Sequence, residues 1–514
     1  MVTLRTRLLA GRSRWVAPAV GVALTAIVIA TGAKGVDLAA ATYRVELFAR
    51  SGLTLWDSQW YGGHWTFDYS VLFAPIGWLA GIPVMDVVCV AVSAWALDRL
   101  AVRRFGPAGR AGAVVFAIGT VVQVAIGQEP YLLGETLGLI AVLAASRRRW
   151  PLACLFALAS ALATPLTGGF VALVAAGWAI SQWPRRRWDL VALGVAGAAP
   201  VVAVEVLFPG QGTMPFPTLN FLGMAAAVIA VAIASWRRER AIALTAALYV
   251  VALTLAYAVP TAVGNNIIRL GISFGLATVV MLAWQGRRWR ALLAAAAIPF
   301  ALAQWVPAAK PLLGLANPSL RAAYFQPLLR FLRREDRPLG RVEVVPTEFH
   351  WEAAYVAPYF PLARGWERQL DTANNPIFYE PGRLDDHTYR AWLFANGVRF
   401  VALPDVPLDY AALAEGRLVR AGVPGLRLVW RGAHWRVYAV LGAPGLVSGP
   451  ARLVGSAGDH VTISATAPGV VTVRERFTPA WHVAAGDATV SRAPGNWLRV
   501  EVRRAGRIAL RITL

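Results

Sequence analysis

The chain has few acidic residues, few charges of any kind and almost no cysteine. Of its 514 residues, 28 are Asp or Glu against 50 Lys or Arg, 15% are charged and 57% are hydrophobic. A soluble protein carries roughly a quarter charged residues, so this composition argues against one. The two cysteines, Cys89 and Cys154, both lie in apolar runs, which excludes a disulfide framework and a thiolate metal site.

The sequence also lacks the motifs of nucleotide and metal chemistry. It has no P-loop, no zinc-ligand spacing and no Rossmann fingerprint ahead of a helix. His64 and Asp68 are four residues apart, but Gly62 and Gly63 favour a turn over the helix that such a metal pair needs. We therefore predict no metal site and no cofactor, and leave a divalent cation open.

Long apolar runs fill the first 306 residues, and each is close to the length that crosses the hydrocarbon core of a bilayer. They predict a polytopic α-helical membrane protein with about eleven transmembrane helices. The predicted spans are 15–33, 82–101, 109–126, 132–146, 150–164, 169–183, 188–208, 217–235, 241–259, 268–284 and 291–306.

The basic residues cluster between these spans, in the short loops around Arg103, Arg148, Arg186, Arg238 and Arg288. Clusters of this kind mark cytoplasmic loops. The basic residues that give the net charge of +22 thus indicate the orientation of the spans, and they do not indicate a nucleic-acid partner. We predict the plasma (inner) membrane, a cytoplasmic N-terminus and an external, periplasmic C-terminal domain.

Beyond residue 306 the composition changes, because charges and prolines return and the apolar runs stop. We divide the chain into a transmembrane domain (1–306, with its first external loop at 34–81), an external α/β region (307–425) and a β-sandwich-like domain (426–514). The last domain rests on six predicted strands between Leu426 and Leu514, separated by glycine-containing turns.

The first external loop combines carboxylates with aromatic rings. Asp37 follows the first span directly, and a carboxylate at this boundary could act as a general base on an acceptor hydroxyl or could simply cap the helix that follows. Aromatic faces beside polar groups suit sugar rings. The candidate binding residues of this loop are Arg44, Trp56, Trp60, Tyr61, His64 and Asp68, with Asp57 among them as a further carboxylate.

Three other polar groups stand out. Glu129 and Glu135 lie at or inside a predicted span, where an ionisable residue is a functional candidate. Asn265, Asn266 and Arg269 lie at the external end of another span. Arg269 could hold a lipid phosphate, or could pair with Glu135 or Asp37. Trp366, Glu367 and Arg368 form a polar-aromatic group in the external region, either as part of the site or as an ordinary loop.

Several short segments resemble the polytopic glycosyltransferases of the type C fold (GT-C), in particular the YfhO-like and PTPS-related bacterial membrane proteins. The composition resembles that of actinobacterial proteins. The segments that carry the resemblance are Asp37 with Arg44 and Gly52, Leu55 to His64, Leu133 to Thr136, Thr164 to Gly168, Asn265 to Leu270 and Arg364 to Gln369.

The resemblance implies an inverting transferase that moves a sugar from a polyprenyl-phosphate donor to a cell-envelope glycan or glycolipid acceptor on the external face. Asp37 then matches the catalytic base, with Asp57 as second choice; related enzymes often have paired acidic residues where this chain has Asp37 alone. Two alternatives stay open: a lipid or glycolipid transporter or flippase, and a non-enzymatic scaffold that binds envelope glycan.

Overall fold

The fold is described by a computed structural model for residues 13–209, 212–335 and 340–513. The chain forms two compact units. The helical unit comprises residues up to Ala41 and Asp68–Leu315, and the mixed unit comprises Thr42–Phe67 and Ala316–Leu514. Residues 1–12, predicted to be cytoplasmic, lie outside the described residues.

Helices occupy every predicted span of the described chain, and two more, α2 and α3, lie in the segment predicted as the first external loop. In chain order the helices are α1 (Val16–Thr31), α2 (Val36–Ser51), α3 (Phe73–Ala80), α4 (Ile82–Phe105), α5 (Gly109–Ile126), α6 (Glu129–Ser146), α7 (Trp150–Ala163), α8 (Pro165–Ser181), α9 (Trp188–Leu207), α10 (Thr218–Ser235), α11 (Arg240–Ala258), α12 (Arg269–Gln285) and α13 (Arg290–Leu313). The prediction of an α-helical membrane protein is confirmed at this level.

Not every helix is long enough to count as a span on its own. Within the described residues, six helical stretches are long and apolar enough to cross a membrane, judged by length and composition. A seventh is added if α1 and α2, bent by 86° at their junction, form one broken span. Because α7 and α8 are apolar but shorter, the predicted total of eleven crossings stays a prediction.

Three of the basic loops meet at one end of the helical unit. Glu239, before α11, accepts hydrogen bonds from Arg104 Nε at 2.5 Å and from Gln285 Nε2 at 2.7 Å. Arg238 donates to the carbonyl of Gln285, the last residue of α12. The loops that follow α4, α10 and α12 are thus joined, as one common orientation of the basic loops requires. Arg269 begins α12 and lies at the opposite end.

The mixed unit contains a four-stranded sheet flanked by helices. Its strands are β3 (Arg341–Val344), β4 (Val398–Pro404), β5 (Leu426–Arg431) and β6 (Trp435–Val440), in the order β3-β4-β6-β5. Only the pair β3–β4 is parallel. The helices here are α14 (Ala322–Arg334), α15 (Glu352–Tyr355), α16 (Arg368–Asn374), α17 (Asp386–Ala395) and α18 (Leu413–Ala421). Gly397, at positive φ, lies between α17 and β4.

Two antiparallel four-stranded sheets follow in the same unit. One has the order β12-β13-β10-β7 and the other β11-β14-β9-β8. Their strands are β7 (Val447–Ser448), β8 (Ala451–Ala457), β9 (His460–Ala465), β10 (Gly469–Arg476), β11 (Trp481–Ala485), β12 (Ala488–Ala493), β13 (Trp497–Val502) and β14 (Gly506–Ile512). Alternate residues of the central strands are buried, as a β-sandwich requires.

Two of the predicted boundaries differ from this arrangement. The boundary at 425/426 passes through the first sheet, because β5 and β6 pair with β4 and with each other. Residues 42–67, taken from sequence as a loop of the transmembrane domain, belong to the mixed unit. Helix α2 therefore begins in the helical unit, with Asp37 in its first turn, and continues into the mixed unit.

Candidate functional site

The aromatic residues of the first loop form part of the core of the mixed unit. Trp60 and Tyr61 are fully buried, and Trp56, His64 and Trp65 are nearly so. A short hairpin, β1 (Trp56–Asp57) and β2 (His64–Trp65), holds the segment, and its turn uses positive φ at Tyr61, Gly62 and Gly63. The backbone N–H of Arg476 on β10 donates to the Gly62 carbonyl at 2.7 Å.

Asp57, the second choice as catalytic base, is enclosed in this core. Its carboxylate accepts hydrogen bonds from the Tyr43 hydroxyl at 2.8 Å and from the Gln59 backbone at 3.2 Å. Burial raises the pKa of Asp57 to about 6, against the opposing effect of the Tyr43 hydrogen bond. Burial and the charge of Arg44 lower the pKa of His64 to about 3. His64 is therefore neutral, and its 4.0 Å contact with Asp57 is not an ion pair.

The remaining candidates of the mixed unit also contact one another. Arg44 pairs with Glu367 and lies over the Trp60 ring. Trp366 stacks on His350 with ring centroids 3.5 Å apart. Arg368 binds both carboxylate oxygens of Asp409, at 3.0 and 3.1 Å. These side chains have protein partners that hold them, as a structural core requires.

The Asp37 cluster has a different character. We define it by Asp37, Glu129, Glu135 and Arg269, all in the helical unit. The side chain of Asp37 is 29% exposed and that of Arg269 is 17% exposed, and Arg269 Nη2 lies 3.8 Å from Asp37 Oδ2. That distance gives an electrostatic pair without a close hydrogen bond. Of the partners proposed for Arg269 from sequence, the structure favours Asp37 over Glu135.

The two glutamates of the cluster are buried at the start of α6. Glu135 accepts a hydrogen bond from Gln123 Nε2 at 3.1 Å, and the same amide reaches the Ser273 hydroxyl at 3.2 Å. Glu129 is 1% exposed, and neither of its carboxylate oxygens has a hydrogen-bond partner among the described residues. Among those residues, no group of three or more His, Cys, Asp or Glu has the geometry of a metal site.

The other candidates of the helical unit are Asn265, Asn266 and Asp68. Asn265 and Asn266 lie in the 3₁₀ turn that precedes α12, and Asn265 accepts a hydrogen bond from Asn220 at 3.1 Å. Asp68 is buried directly after the first-loop segment. The structure therefore separates the predicted site residues into two groups, one in each unit.

An apolar cavity of about 370 Å³ adjoins the Asp37 cluster within the helical unit. Tyr131, Glu135 and Leu270 line it at one end, and Trp178 and Ala241 line it near the basic loops. The guanidinium of Arg269 lies 5.4 Å from the centroid of the Tyr131 ring. The cavity and the Asp37–Arg269 pair thus share the Tyr131 side chain as a wall.

Sequence reasoning missed several residues that build this region. Tyr131 and Gln123 place polar groups inside helices, and Ser273 joins them through hydrogen bonds at 3.2 Å. A polar side chain in an apolar helix is the available signal, but an isolated serine or tyrosine is common in spans. Only packing of α5, α6 and α12 brings these three residues together.

Comparison with known proteins gives little direct likeness. No known family profile and no curated protein matches this chain. Among solved structures, the cryo-EM structure of the arabinofuranosyltransferase AftD from Mycobacteria is similar, with a TM-score of 0.48 and 17% sequence identity. The similarity covers 89% of this chain, which spans 41% of that protein's length. The predicted YfhO-like membership stays a prediction.

Proposed function

We propose that this protein is a membrane glycosyltransferase that moves a sugar from a polyprenyl-phosphate donor to a cell-envelope glycan or glycolipid acceptor. One observation carries the proposal: a partly exposed carboxylate–guanidinium pair shares a wall with an apolar cavity. A lipid-linked sugar phosphate has the matching chemistry, because it joins a hydrocarbon chain to an anion and a reactive sugar.

Each part of the donor then has a partner. The apolar cavity takes part of the polyprenyl chain, and Arg269 binds the phosphate, since a guanidinium matches the geometry of phosphate oxygens. Asp37 removes the proton from the acceptor hydroxyl. The acceptor oxygen attacks the anomeric carbon from the face opposite the phosphate. The bond between the anomeric carbon and the phosphate oxygen breaks, and polyprenyl phosphate leaves. The transferred sugar then has the inverted configuration at its anomeric carbon.

The geometry of Asp37 suits a base better than that of Asp57. A base must be reachable by its substrate, and Asp37 is 29% exposed whereas Asp57 is 1% exposed. Binding of phosphate to Arg269 would weaken the pull of that guanidinium on Asp37 and leave the carboxylate available for the acceptor. We place this chemistry on the external face, opposite the basic loops, as the orientation of the spans predicts.

The decisive test is transfer by the purified protein in lipid, with radiolabelled polyprenyl-phosphate sugars and envelope-glycan acceptors. Loss of a general base costs about 100-fold or more in rate, so we expect Asp37→Asn to lose transfer while it still folds and inserts. Glu46→Gln is the matched control, because Glu46 is a carboxylate on the same helix with a 39% exposed side chain. Full activity in Asp37→Asn would exclude Asp37 as the base.

A lipid transporter or flippase is the second candidate, and the length of the cavity favours it. Its lining runs from Tyr131 near Asp37 to Trp178 and Ala241 near the basic loops, so it follows a path along the helices. Movement of a labelled lipid-linked sugar across liposomes, with no covalent change and no dependence on acceptor, would select this function over transfer.

A further inference from the structure

The outer face of the sheet β11-β14-β9-β8 carries an unbalanced positive charge. Val461, Ile463, Ile508 and Leu510 on the inner face are at most 1% exposed, so the alternate residues of β9 and β14 point outward. The pairing register arranges these outward residues in three rows across the strands.

The first row contains two arginines on either side of a hydroxyl. Ser464 on β9 pairs with Arg452 on β8 and with Arg507 on β14. Neighbouring strands are about 4.8 Å apart, so both guanidinium groups are within reach of an anion bound above Ser464. Both arginines are exposed, and neither forms an ion pair among the described residues.

The third row repeats the pattern with imidazoles. Arg511 on β14 pairs with His460 on β9 and with His482 on β11. Asp459 contacts this row, at 3.6 Å from Arg511 and 3.1 Å from His460. The two basic rows are four positions apart along β9, which corresponds to a distance of about 13 Å.

The row between them is low and uncharged. It consists of Gly455, Thr462, Ala509 and Ala485, whose side chains are small. A shallow floor between two basic rows suits a chain whose sugar rings lie on the floor and whose anionic groups reach the rows. A lipid surface fits less well, because Val454 is the large apolar side chain that this sheet exposes, and insertion into a membrane needs several.

The other sheet of the sandwich shows that this charge is not a general property of the unit. On the outer face of β12-β13-β10-β7, Arg499 is paired with Glu501 at 3.5 Å. Arg474 there donates to the Gly445 carbonyl and to the Ser448 hydroxyl. Its arginines are occupied, whereas Arg452 and Arg507 are available.

We propose that the outer face of β11-β14-β9-β8 binds a linear anionic polysaccharide, through Arg452, Ser464 and Arg507 in one row and Arg511 with its flanking histidines in the other. The surface belongs to the mixed unit and shares no residue with those assigned to transfer, so its binding does not depend on whether Asp37 is a catalytic base. It is a separate holding site for a charged polymer.

Binding of fluorescent oligogalacturonate to the full-length protein in phosphatidylcholine nanodiscs tests this proposal. We expect Arg452→Gln/Arg507→Gln to weaken binding at least tenfold. The matched control Arg427→Gln/Arg431→Gln removes two exposed arginines from β5 of the same unit and should change affinity less than twofold. Thermal unfolding checks that both variants are folded.

Three results would overturn the proposal. Equal weakening in both double variants would show that net charge alone attracts the polymer. Equal affinity for a neutral dextran of the same length would show that charge is not recognised. Tighter binding to phosphatidylglycerol vesicles than to oligogalacturonate would assign the face to a membrane surface.

Discussion

The buried residues of the first loop, Trp56, Asp57, Trp60, Tyr61, His64 and Trp65, are called the first-loop core here. The Asp37 cluster and the first-loop core contain similar residue types, but their environments differ. Asp57 is buried beneath Tyr43 and held by two hydrogen bonds, whereas Asp37 is partly exposed and 3.8 Å from Arg269. The first-loop core is rich in aromatic rings that pack on one another, such as Tyr43 on Trp60 at 4.4 Å. The Asp37 cluster instead adjoins an open apolar cavity.

The difference shows that a high density of polar and aromatic residues does not identify a site. The densest such run of the sequence forms a core, because its aromatic rings pack on one another and its Asp57 carboxylate is hydrogen-bonded within the mixed unit. The residues that retain access to a substrate are sparser and come from α2 and α12. The exposure of Asp37 and Arg269 separates the two groups better than composition does.

The largest effect is expected when the first loop is removed from the mixed unit. We expect residues 316–514 expressed alone to be unfolded, because they lose Trp56, Trp60 and Tyr61 from their core. Linking residues 42–67 to this fragment should restore a cooperative thermal transition. Tryptophan fluorescence and circular dichroism provide the measurement. A cooperative transition in 316–514 alone would show that the first loop is not part of that core.

A second test uses the pH dependence of the first-loop core. Burial raises the pKa of Glu475, which pairs with Arg341 at 3.5 Å, to about 7. The folded state therefore holds this proton more tightly than the unfolded state, whose pKa is about 4.3. The stability that the proton gives is complete below pH 4.3 and is lost as the pH rises through about 7.

Glu475→Gln should remove that loss. Relative to the variant, the wild-type protein should lose up to about 3 kcal/mol in the free energy of unfolding between pH 4 and 8. Denaturant unfolding at several pH values measures it, and parallel curves for the two proteins would contradict the expectation. Burial raises the pKa of Asp57 in the same direction, so part of the slope should remain below pH 6.

The smallest change in stability is expected from two single substitutions, one in each region. Tyr43→Phe removes a hydrogen bond to a buried carboxylate and should cost about 2 kcal/mol of stability. Arg269→Gln breaks a longer and partly exposed pair and should cost less than about 1 kcal/mol, while it reduces transfer more than Tyr43→Phe does. Equal losses of stability in the two variants, or a greater loss of transfer in Tyr43→Phe, would contradict a structural role for Tyr43 and a role in transfer for Arg269.

Much of the fold could be predicted from local patterns. Apolar runs located the long helices, and alternation located β5, β6, β9, β10, β13 and β14. Strands β8, β11 and β12 were missed, because Gly455 and the alanines of these segments weaken the alternation of large and polar residues. The start of α8 and the end of α13 differ from prediction by four and seven residues, as the caps of apolar helices carry little sequence signal.

The division of the site could not be predicted. Arg44 and Glu367 are more than 300 residues apart in sequence, and no local pattern indicates that they pair. The same holds for the burial of Asp57, which depends on Tyr43 from α2 and on strands near the end of the chain. The pairing of Arg269 with Asp37 was one of several alternatives, and only packing of α2 against the start of α12 selects it.

The assembly of the mixed unit from two distant segments has a consequence during synthesis. Arg476 Nε donates to the carbonyl of Tyr61, 415 residues earlier in the chain. At about 5 to 20 residues per second, a ribosome needs about 20 to 80 s to make the chain between these two residues. Trp56, Trp60 and Tyr61 must stay without their partners from the C-terminal part of the mixed unit until that part is made. The first loop is thus the part of this protein most in need of protection from aggregation while the remaining helices enter the membrane.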